Sequence, residues 1–222
     1  MRRSSRLPLI LTIGTLASSD ESPATHAGAQ DVPGPTHGVH VVVDQLRADL
    51  LRRYDDQFTG GFRRLLDGGA VFTNATHDHA STSTAPGHAT LATGVHPRTH
   101  GISANSWFEQ VGDRWRSVYA VSDTTVEILA DPGLPGRSPA NLRSEGIGDW
   151  LVGARPDARV VAISRKDRGA IPLAGRAGQD VFWLAIEDGV GGFTTSTYYH
   201  ETLPEWVREA NAALGPGLWG DT

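Results

Sequence analysis

A short apolar run over residues 39–43 places the strongest constraint on the fold of this chain. Its sequence, Val-His-Val-Val-Val, is nearly continuous rather than alternating, and it ends at Asp44. Such runs are typical of strands in parallel sheets, which other elements cover on both faces. The carboxyl ends of parallel strands form the edge at which open α/β folds bind ligands. The pattern therefore predicts a buried strand that presents Asp44 at a ligand-binding edge.

Further apolar runs alternate with helical patterns, which predicts an α/β fold with a mainly parallel sheet flanked by helices. Predicted strands cover residues 70–74, 158–164, 181–186 and 193–197, and predicted helices cover residues 47–54, 62–66, 84–91, 145–152 and 202–214. Residues 106–120 carry a turn signal at Gly112-Asp113 and are predicted to form a hairpin. Residues 124–139 are rich in turn formers and are predicted to cross the surface. The sheet is expected to be incomplete at Thr222.

Thr84 opens one of the predicted helices, and Pro86 follows it in the first turn. Threonine is a good N-cap, and proline is favoured near a helix start. A hydroxyl there lies beside free backbone N–H groups and the positive end of the helix dipole, which favour an anion. Thr84 is therefore a candidate nucleophile, although plain capping is the commoner use of such a threonine. Because no His-Asp relay is evident, activation by a metal ion is the consistent choice.

Two cations follow the predicted strand that ends at residue 164, and one of them, Lys166, is the only lysine of the chain. In an extended loop, residues two apart point to the same side, so Lys166 and Arg168 can face one phosphate while Asp167 turns aside. Charge spread over the oxygens of a phosphoryl-transfer transition state favours such a clamp. The alternative is a solvated run of surface charges over residues 165–168.

Asn105 is a further candidate ligand for phosphate, because its neutral amide can donate to a phosphoryl oxygen. The alternative is a turn residue in Ala104-Asn105-Ser106, which is a common use of asparagine.

Composition excludes several classes of protein. The formal net charge of −5 argues against a broad basic surface, so no nucleic-acid partner is expected. The chain contains no cysteine, which excludes disulfides, cysteine-ligated zinc and thiol nucleophiles. Zinc itself is not excluded, because it also binds histidine and carboxylate ligands.

Residues 1–30 have the features of an export signal. A basic start at residues 2–6 precedes an apolar stretch at residues 7–17, and a small-residue site lies near the end of the segment. The apolar stretch is too short to span a bilayer, so no stable membrane span is expected. Residues 31–37 form a Pro/Gly linker, and residues 38–222 are predicted to fold as one domain. The protein is expected in the periplasm or outside the cell; an unstructured cytoplasmic tail is the alternative.

Four ordered motifs resemble those of the alkaline phosphatase superfamily. They are Asp44-Gln45-Leu46-Arg47, Thr84-Ala85-Pro86-Gly87-His88, Gly101-Ile102-Ser103-Ala104-Asn105-Ser106-Trp107 and Lys166-Asp167-Arg168. Within it, the chain resembles the phosphate-irrepressible bacterial alkaline phosphatases of the type I phosphodiesterase/nucleotide pyrophosphatase-like family, which use a threonine nucleophile. The similarity extends from Gly38 to the end of the chain. The motif around Pro86 selects Thr84 from the run Ser81-Thr82-Ser83-Thr84.

The resemblance implies hydrolysis of phosphate monoesters at a site with two zinc ions. In such a site Asp44 and Thr84 bind metal, and Thr84 attacks phosphorus to form a phosphothreonine. Asn105, Lys166 and Arg168 hold the phosphoryl oxygens of small phosphorylated substrates and of inorganic phosphate. Related phosphodiesterases usually lack the Lys-Arg pair, and a monoester dianion has more charge to neutralise.

The other zinc ligands of this family lie downstream, in an Asp-x-x-x-His motif, an Asp-His pair and a late histidine, and the chain has none of these after Lys166. The histidines at residues 77–100 are not ligand positions in the family, and His88 is expected to pack behind the nucleophile helix. The chain is therefore expected to be the amino-terminal part of such an enzyme, inactive alone. Two alternatives stay open: a phosphodiesterase or nucleotide pyrophosphatase of the same superfamily, and a non-enzymatic anion-binding remnant.

Overall fold

The computed structural model describes residues 36–130, 133–185 and 191–214. The export signal predicted for residues 1–30 lies outside the described residues, as does most of the predicted linker. The chain divides into two compact units, Met1–His77 and Asp78–Thr222. No helix in the described ranges is long and apolar enough to cross a membrane.

The first unit contains short helices. Helix α1 spans Ala48–Arg53, a 3-10 turn spans Asp55–Gln57 and helix α2 spans Gly61–Gly68. The two α-helices confirm the predictions for residues 47–54 and 62–66. Both predictions rest on local signals, including the glycine pair that ends α2.

The strands predicted at residues 39–43 and 70–74 are not formed, and these predictions are wrong. Val39 and Phe72 are 67% and 58% exposed. A strand needs a neighbour to pair its backbone N–H and C=O groups, and the described part of this unit contains no other strand. A continuous apolar run indicates burial, but it does not identify a pairing partner.

The second unit begins with helix α3 (Thr84–Thr93), which confirms the helix predicted at residues 84–91. The helix ends at Gly94, whose φ of 67° is left-handed and favours glycine. The sequence predicted Thr84 as the N-cap of this helix. In the structure Ser83 is the N-cap, and Thr84 is the first helical residue. A short helix α4 (Pro97–His100) follows.

Two antiparallel ribbons follow α4. Strands β1 (Ser106–Val111) and β2 (Arg114–Tyr119) form the predicted hairpin, with Ser106 paired to Tyr119 at its base. Strands β3 (Ser122–Glu127) and β4 (Pro135–Arg137) form the second ribbon. The prediction that residues 124–139 cross the surface did not include these strands. Turn residues such as Pro135 are tolerated here because the short ribbon has open edges.

The central sheet has the order β5-β6-β7. Its strands are β5 (Val161–Ser164), β6 (Asp180–Leu184) and β7 (Phe193–Thr194). β5 and β6 are parallel, whereas β6 and β7 are antiparallel. The remaining helices of this unit are α5 (Ile147–Ala154), α6 (Asp167–Ala174) and α7 (Glu205–Leu214). α6 packs on β5 and β6, α7 contacts β7, and α5 packs against α6. This architecture confirms the α/β fold class.

Helix α6 differs from the sequence prediction, which places residues 165–168 in an extended loop. Lys166 is extended, with φ −121° and ψ 139°, but the helix begins at Asp167. The sequence pattern does not predict this helix because Gly169 and Pro172 both have poor helix propensity. Packing overrides this propensity, since Ile171 is completely buried.

Two apolar cores stabilise the second unit. The larger comprises Val121, Ile128, Ala170, Ile171, Ala174, Val181 and Trp183. The smaller comprises Ala85, Ala89, Ile102, Ala120 and Leu142. α3 contributes to the smaller core and α6 to the larger, and the two helices pack against each other.

Candidate active site

Thr84 lies at the amino terminus of α3 and is 9% exposed. Two backbone positions in the first turn offer no free N–H group to a ligand. Pro86 has no N–H, and the backbone N–H of Ala85 donates to Oδ1 of Asn105 at 2.8 Å. An anion beside Thr84 would therefore depend on the helix dipole and on side chains rather than on a row of backbone N–H groups.

Asn105 is joined to the start of α3 by this same hydrogen bond. A backbone N–H can only donate, so the amide oxygen of Asn105 is the atom that faces Ala85. The backbone carbonyl of Asn105 accepts a further bond from the N–H of Ala120 at 2.9 Å. In both contacts Asn105 is the acceptor. The first contact fixes the orientation of the side-chain amide, whose NH₂ group takes part in neither.

Asp167 is the first residue of α6, and three donors hold its side chain. Its carboxylate accepts the hydroxyl of Tyr119 at 2.5 Å, Nε of Arg137 at 2.6 Å and the backbone N–H of Arg168 at 2.6 Å. Only 11% of the side chain is exposed. An acidic residue in the first turn of a helix is also favoured by the helix dipole.

Arg168 follows in the first turn of α6, and 21% of its side chain is exposed. Its Nη1 donates to the hydroxyl of Tyr119 at 2.9 Å and lies 3.9 Å from Oδ1 of Asp167. Lys166 precedes the helix, and no ion pair or side-chain hydrogen bond of its ammonium group occurs within the described ranges. The two predicted phosphate ligands therefore differ. Arg168 contacts Tyr119 and Asp167, whereas the ammonium group of Lys166 contacts neither.

The first turns of α3 and α6 lie next to each other. Nδ1 of His88 donates to the carbonyl oxygen of Thr84 at 2.7 Å. A Cβ placed on Gly169 would lie 3.7 Å from Nε2 of the same imidazole. The buried His88 ring therefore lies between Thr84 and the helix that carries Arg168, as expected for a packing residue behind the nucleophile helix.

The base of the β1–β2 hairpin connects these groups. Asn105 immediately precedes Ser106, which pairs with Tyr119. Through Ala85 the base contacts α3, and through Tyr119 it contacts Arg168. The structure thus brings Thr84, Asn105 and Arg168 into one contact network.

Asp44 belongs to the first unit. It lies in a turn, followed by Gln45 with a left-handed φ of 61°, and it does not end a strand. Carboxylate and hydroxyl oxygens are suitable zinc ligands, so Asp44 and Thr84 fit the metal in type. A catalytic zinc takes three protein ligands, and no group of three or more His, Asp or Glu side chains in the described ranges could hold a metal.

Tyr119, Arg137 and Asp167 are absent from the sequence-based prediction of the site. The residue pairs that define their network are separated by 30 to 48 positions in the chain, so no local spacing could have revealed it. The only sequence signal is that Asp167 lies between Lys166 and Arg168.

A family model described as type I phosphodiesterase / nucleotide pyrophosphatase matches residues 39–215. Alkaline phosphatase PafA of Elizabethkingia meningoseptica is 39% identical over 184 residues, which make up 81% of this chain and 33% of that protein. Alkaline phosphatase PhoV of Synechococcus elongatus is 36% identical over 194 residues, which make up 86% of this chain and 34% of that protein. The chain thus spans about a third of the length of the curated relatives it matches.

The crystal structure of wild-type PafA matches this fold with a TM-score of 0.71 at 39% identity, covering 78% of this chain and 33% of that chain. A PafA variant with a threonine, an asparagine, a lysine and an arginine replaced gives the same TM-score of 0.71. These matches confirm the resemblance and the α/β fold predicted from the sequence. Because the family model covers most of its length, the chain belongs to the type I phosphodiesterase / nucleotide pyrophosphatase family.

Proposed function

We propose that the chain carries the phosphate-binding half of a phosphomonoesterase site, with Thr84 as nucleophile and Asn105, Lys166 and Arg168 as phosphate ligands. The single observation that carries the proposal is the network that links the start of α3, Asn105 and Arg168. The names of the relatives support phosphatase chemistry. The variant PafA structure replaces the same four residue types in the same chain order.

In this proposal, the oxygen of Thr84 attacks the phosphorus of a small phosphorylated substrate. The new P–O bond forms as the bond to the leaving alcohol breaks, which gives a phosphothreonine that water later hydrolyses to inorganic phosphate. The NH₂ group of Asn105 donates to a phosphoryl oxygen without adding charge. Lys166 and Arg168 neutralise the negative charge that spreads over these oxygens in the transition state.

Asp44 and Thr84 are the residues of this chain that would hold zinc. A bound zinc ion would lower the pKa of the Thr84 hydroxyl, which is a poor nucleophile in its neutral form. Two zinc ions need more ligands than these two residues, so we infer that the others come from outside this chain and that the chain alone does not turn over substrate.

We also propose a location in the periplasm or outside the cell, which the export features of residues 1–30 support.

A second candidate function is hydrolysis of phosphodiesters or nucleotide pyrophosphates, which the description of the matching family model favours. A monoester dianion carries more negative charge than a diester monoanion, so the Lys166–Arg168 pair favours the monoester. An anion-binding protein without catalysis is the third candidate. It would bind phosphate in the presence of a chelator and show no turnover.

The test compares an aryl phosphate monoester with the matching diester, using protein expressed from the whole reading frame with zinc supplied. Lys166→Ala should lower kcat/KM for the monoester about 100-fold and leave the diester value much less changed. Arg165→Ala removes a charge from the adjacent, exposed residue and is the matched control, with activity within about 3-fold of wild type. A preference for the diester that Lys166→Ala does not alter would establish the second candidate instead.

A further inference from the structure

A carboxylate lies between the two cations that we propose bind phosphate. Asp167 follows Lys166 and precedes Arg168, and 11% of its side chain is exposed. Its Oδ1 forms an ion pair with Nη1 of Arg168 at 3.9 Å. A negative charge at this position repels a phosphate and offsets part of the charge of Arg168, and low exposure strengthens both effects. On charge alone, Asp167 therefore weakens the proposed phosphate site.

The donors that hold this carboxylate come from three elements of the second unit. The hydroxyl of Tyr119, the last residue of β2, donates to Oδ1 at 2.5 Å. Nε of Arg137, the last residue of β4, donates to Oδ2 at 2.6 Å. The third donor is the backbone N–H of Arg168, within α6 itself. Asp167 thus ties the first turn of α6 to the base of the β1–β2 hairpin and to the second ribbon.

Arg137 is itself fixed on the side of the ribbon. Its Nη1 donates to the carbonyl of Gly136 at 3.2 Å, and its guanidinium carbon lies 4.9 Å from the centre of the Tyr119 ring. Its own carbonyl accepts the hydroxyl of Ser196. Because 17% of the Arg137 side chain is exposed, its ion pair with Asp167 is screened less than a pair at the surface. The anchor of Asp167 is therefore a constrained one.

The first turn of α6 connects this anchor to Lys166. The carbonyl of Lys166 accepts the N–H groups of Gly169 at 2.9 Å and of Ala170 at 3.1 Å, and its own N–H donates to Oγ of Ser164 at 3.3 Å. A shift of the helix start would therefore move the backbone of Lys166 as well as that of Arg168. A displacement of about 1 Å in groups that position a substrate can cost about 100-fold in rate.

We propose that Asp167 is a positioning residue, which fixes the first turn of α6 and thereby aligns Lys166 and Arg168 with a phosphoryl group. This inference rests on the proposed function, because it takes these two cations as phosphate ligands. The benefit of alignment exceeds the repulsion between Asp167 and phosphate. Removal of the carboxylate should therefore weaken the site, whereas charge alone predicts that it strengthens the site.

The test uses Asp167→Asn, which removes the negative charge at nearly constant size. Protein expressed from the whole reading frame, with zinc supplied, is assayed with an aryl phosphate monoester, and inorganic phosphate is measured as a competitive inhibitor. We expect kcat/KM to fall about 10- to 100-fold and the inhibition constant of phosphate to rise. The loss should be at least about 3-fold smaller when Lys166 is already alanine, because part of the effect passes through that side chain.

Asp180→Asn is the matched control. Asp180 is also a buried carboxylate of the second unit, with 3% of its side chain exposed, and it is paired with Arg159. Its substitution should lower the stability of the protein and leave kcat/KM within about 3-fold of wild type. An equal loss of activity in Asp167→Asn and Asp180→Asn would show a general structural effect and would overturn the positioning role.

Unchanged or higher kcat/KM in Asp167→Asn, or tighter inhibition by phosphate, would overturn the positioning role alone. Unchanged activity in both Lys166→Ala and Arg168→Ala would overturn the proposed phosphate site itself. If Asp167→Asn does not fold, Tyr119→Phe removes one donor to the carboxylate without changing any charge. It should lower kcat/KM about 3- to 10-fold, and an unchanged value would again overturn the positioning role.

Discussion

Oδ1 of Asn105 accepts a hydrogen bond from the backbone N–H of Ala85 at 2.8 Å. This bond uses the donor next to Thr84 and fixes the orientation of the Asn105 amide. It joins the hairpin base to α3 across 20 positions of sequence. The amide oxygen therefore anchors α3, and the NH₂ group is the end that we propose donates to a phosphoryl oxygen.

Substitutions of Asn105 should separate its contribution to stability, through the bond to Ala85, from its proposed contact with phosphate. Asn105→Asp keeps an acceptor for Ala85 but replaces the NH₂ donor by a negative charge, so stability should change by less than about 1 kcal/mol while kcat/KM falls at least about 100-fold. Asn105→Ala should also lose activity and should destabilise the fold by about 1 kcal/mol or more, because the N–H of Ala85 loses its partner. Urea unfolding and monoester kinetics check both. Unchanged turnover in Asn105→Asp would show that the amide NH₂ does not contact the phosphoryl group.

Gly148 permits the close approach of α5 and α6. A Cβ at Gly148 would collide with the carbonyl oxygen of Ala174 and would lie 3.2 Å from the side chain of Val160. Gly148→Ala should therefore lower the free energy of unfolding by about 1–3 kcal/mol.

Gly153 provides the control in the same helix, because nothing lies within 4 Å of a Cβ at that position. Gly153→Ala should be neutral or stabilising by up to about 1 kcal/mol, owing to the higher helix propensity of alanine. Equal effects of the two substitutions in a chemical unfolding experiment would contradict the packing of α5 on α6 described here.

His100 should make the stability of the protein depend on pH in the acid range. The side chain is completely buried, Nδ1 accepts the N–H of Ile102 at 3.1 Å, and Nε2 must therefore carry the proton and donate to Thr90 at 3.1 Å. Burial, followed by the proximity of His79, lowers the pKa of His100 from 6.5 to about 4. The unfolded chain binds the proton first, so this contribution is fully present above pH 6.5 and is lost as the pH falls towards 4.

Unfolding free energies measured between pH 4 and 7 test this dependence. His100→Gln should flatten the slope. His37→Gln replaces an exposed histidine of the first unit, and it should leave the slope as in wild type. A slope that survives His100→Gln would assign the effect to other groups.

The sequence predicts those parts of the fold that depend on local signals. α3 is recognisable from Thr84 and Pro86, and the β1–β2 hairpin from Gly112-Asp113. The strand predicted before Asp44 fails because pairing depends on a partner elsewhere in the chain, which an apolar run does not identify. Helix α6 is missed because Gly169 and Pro172 contradict helix propensity, while burial of Ile171 favours the helix.

In the candidate site, too, the sequence predicts residues that lie in local motifs but not contacts between residues distant in the chain. Thr84, Asn105, Lys166 and Arg168 are found from motifs, because each lies in a short conspicuous segment. The contacts that Tyr119 makes with Asp167 and Arg168 span 48 and 49 positions and leave no local pattern. Sequence therefore predicts the groups proposed to meet phosphate, and only the fold shows the groups that hold them.

The most direct measurement of the central claim is the site of phosphoryl transfer. Protein expressed from the whole reading frame, with zinc supplied, is mixed with an aryl phosphate monoester, quenched in acid and analysed by peptide mass spectrometry. We predict one phosphothreonine at Thr84, distinguished by fragmentation from Ser81, Thr82 and Ser83, and its disappearance in Thr84→Val. Phosphate on one of these three neighbours, or turnover that persists in Thr84→Val, would contradict the account.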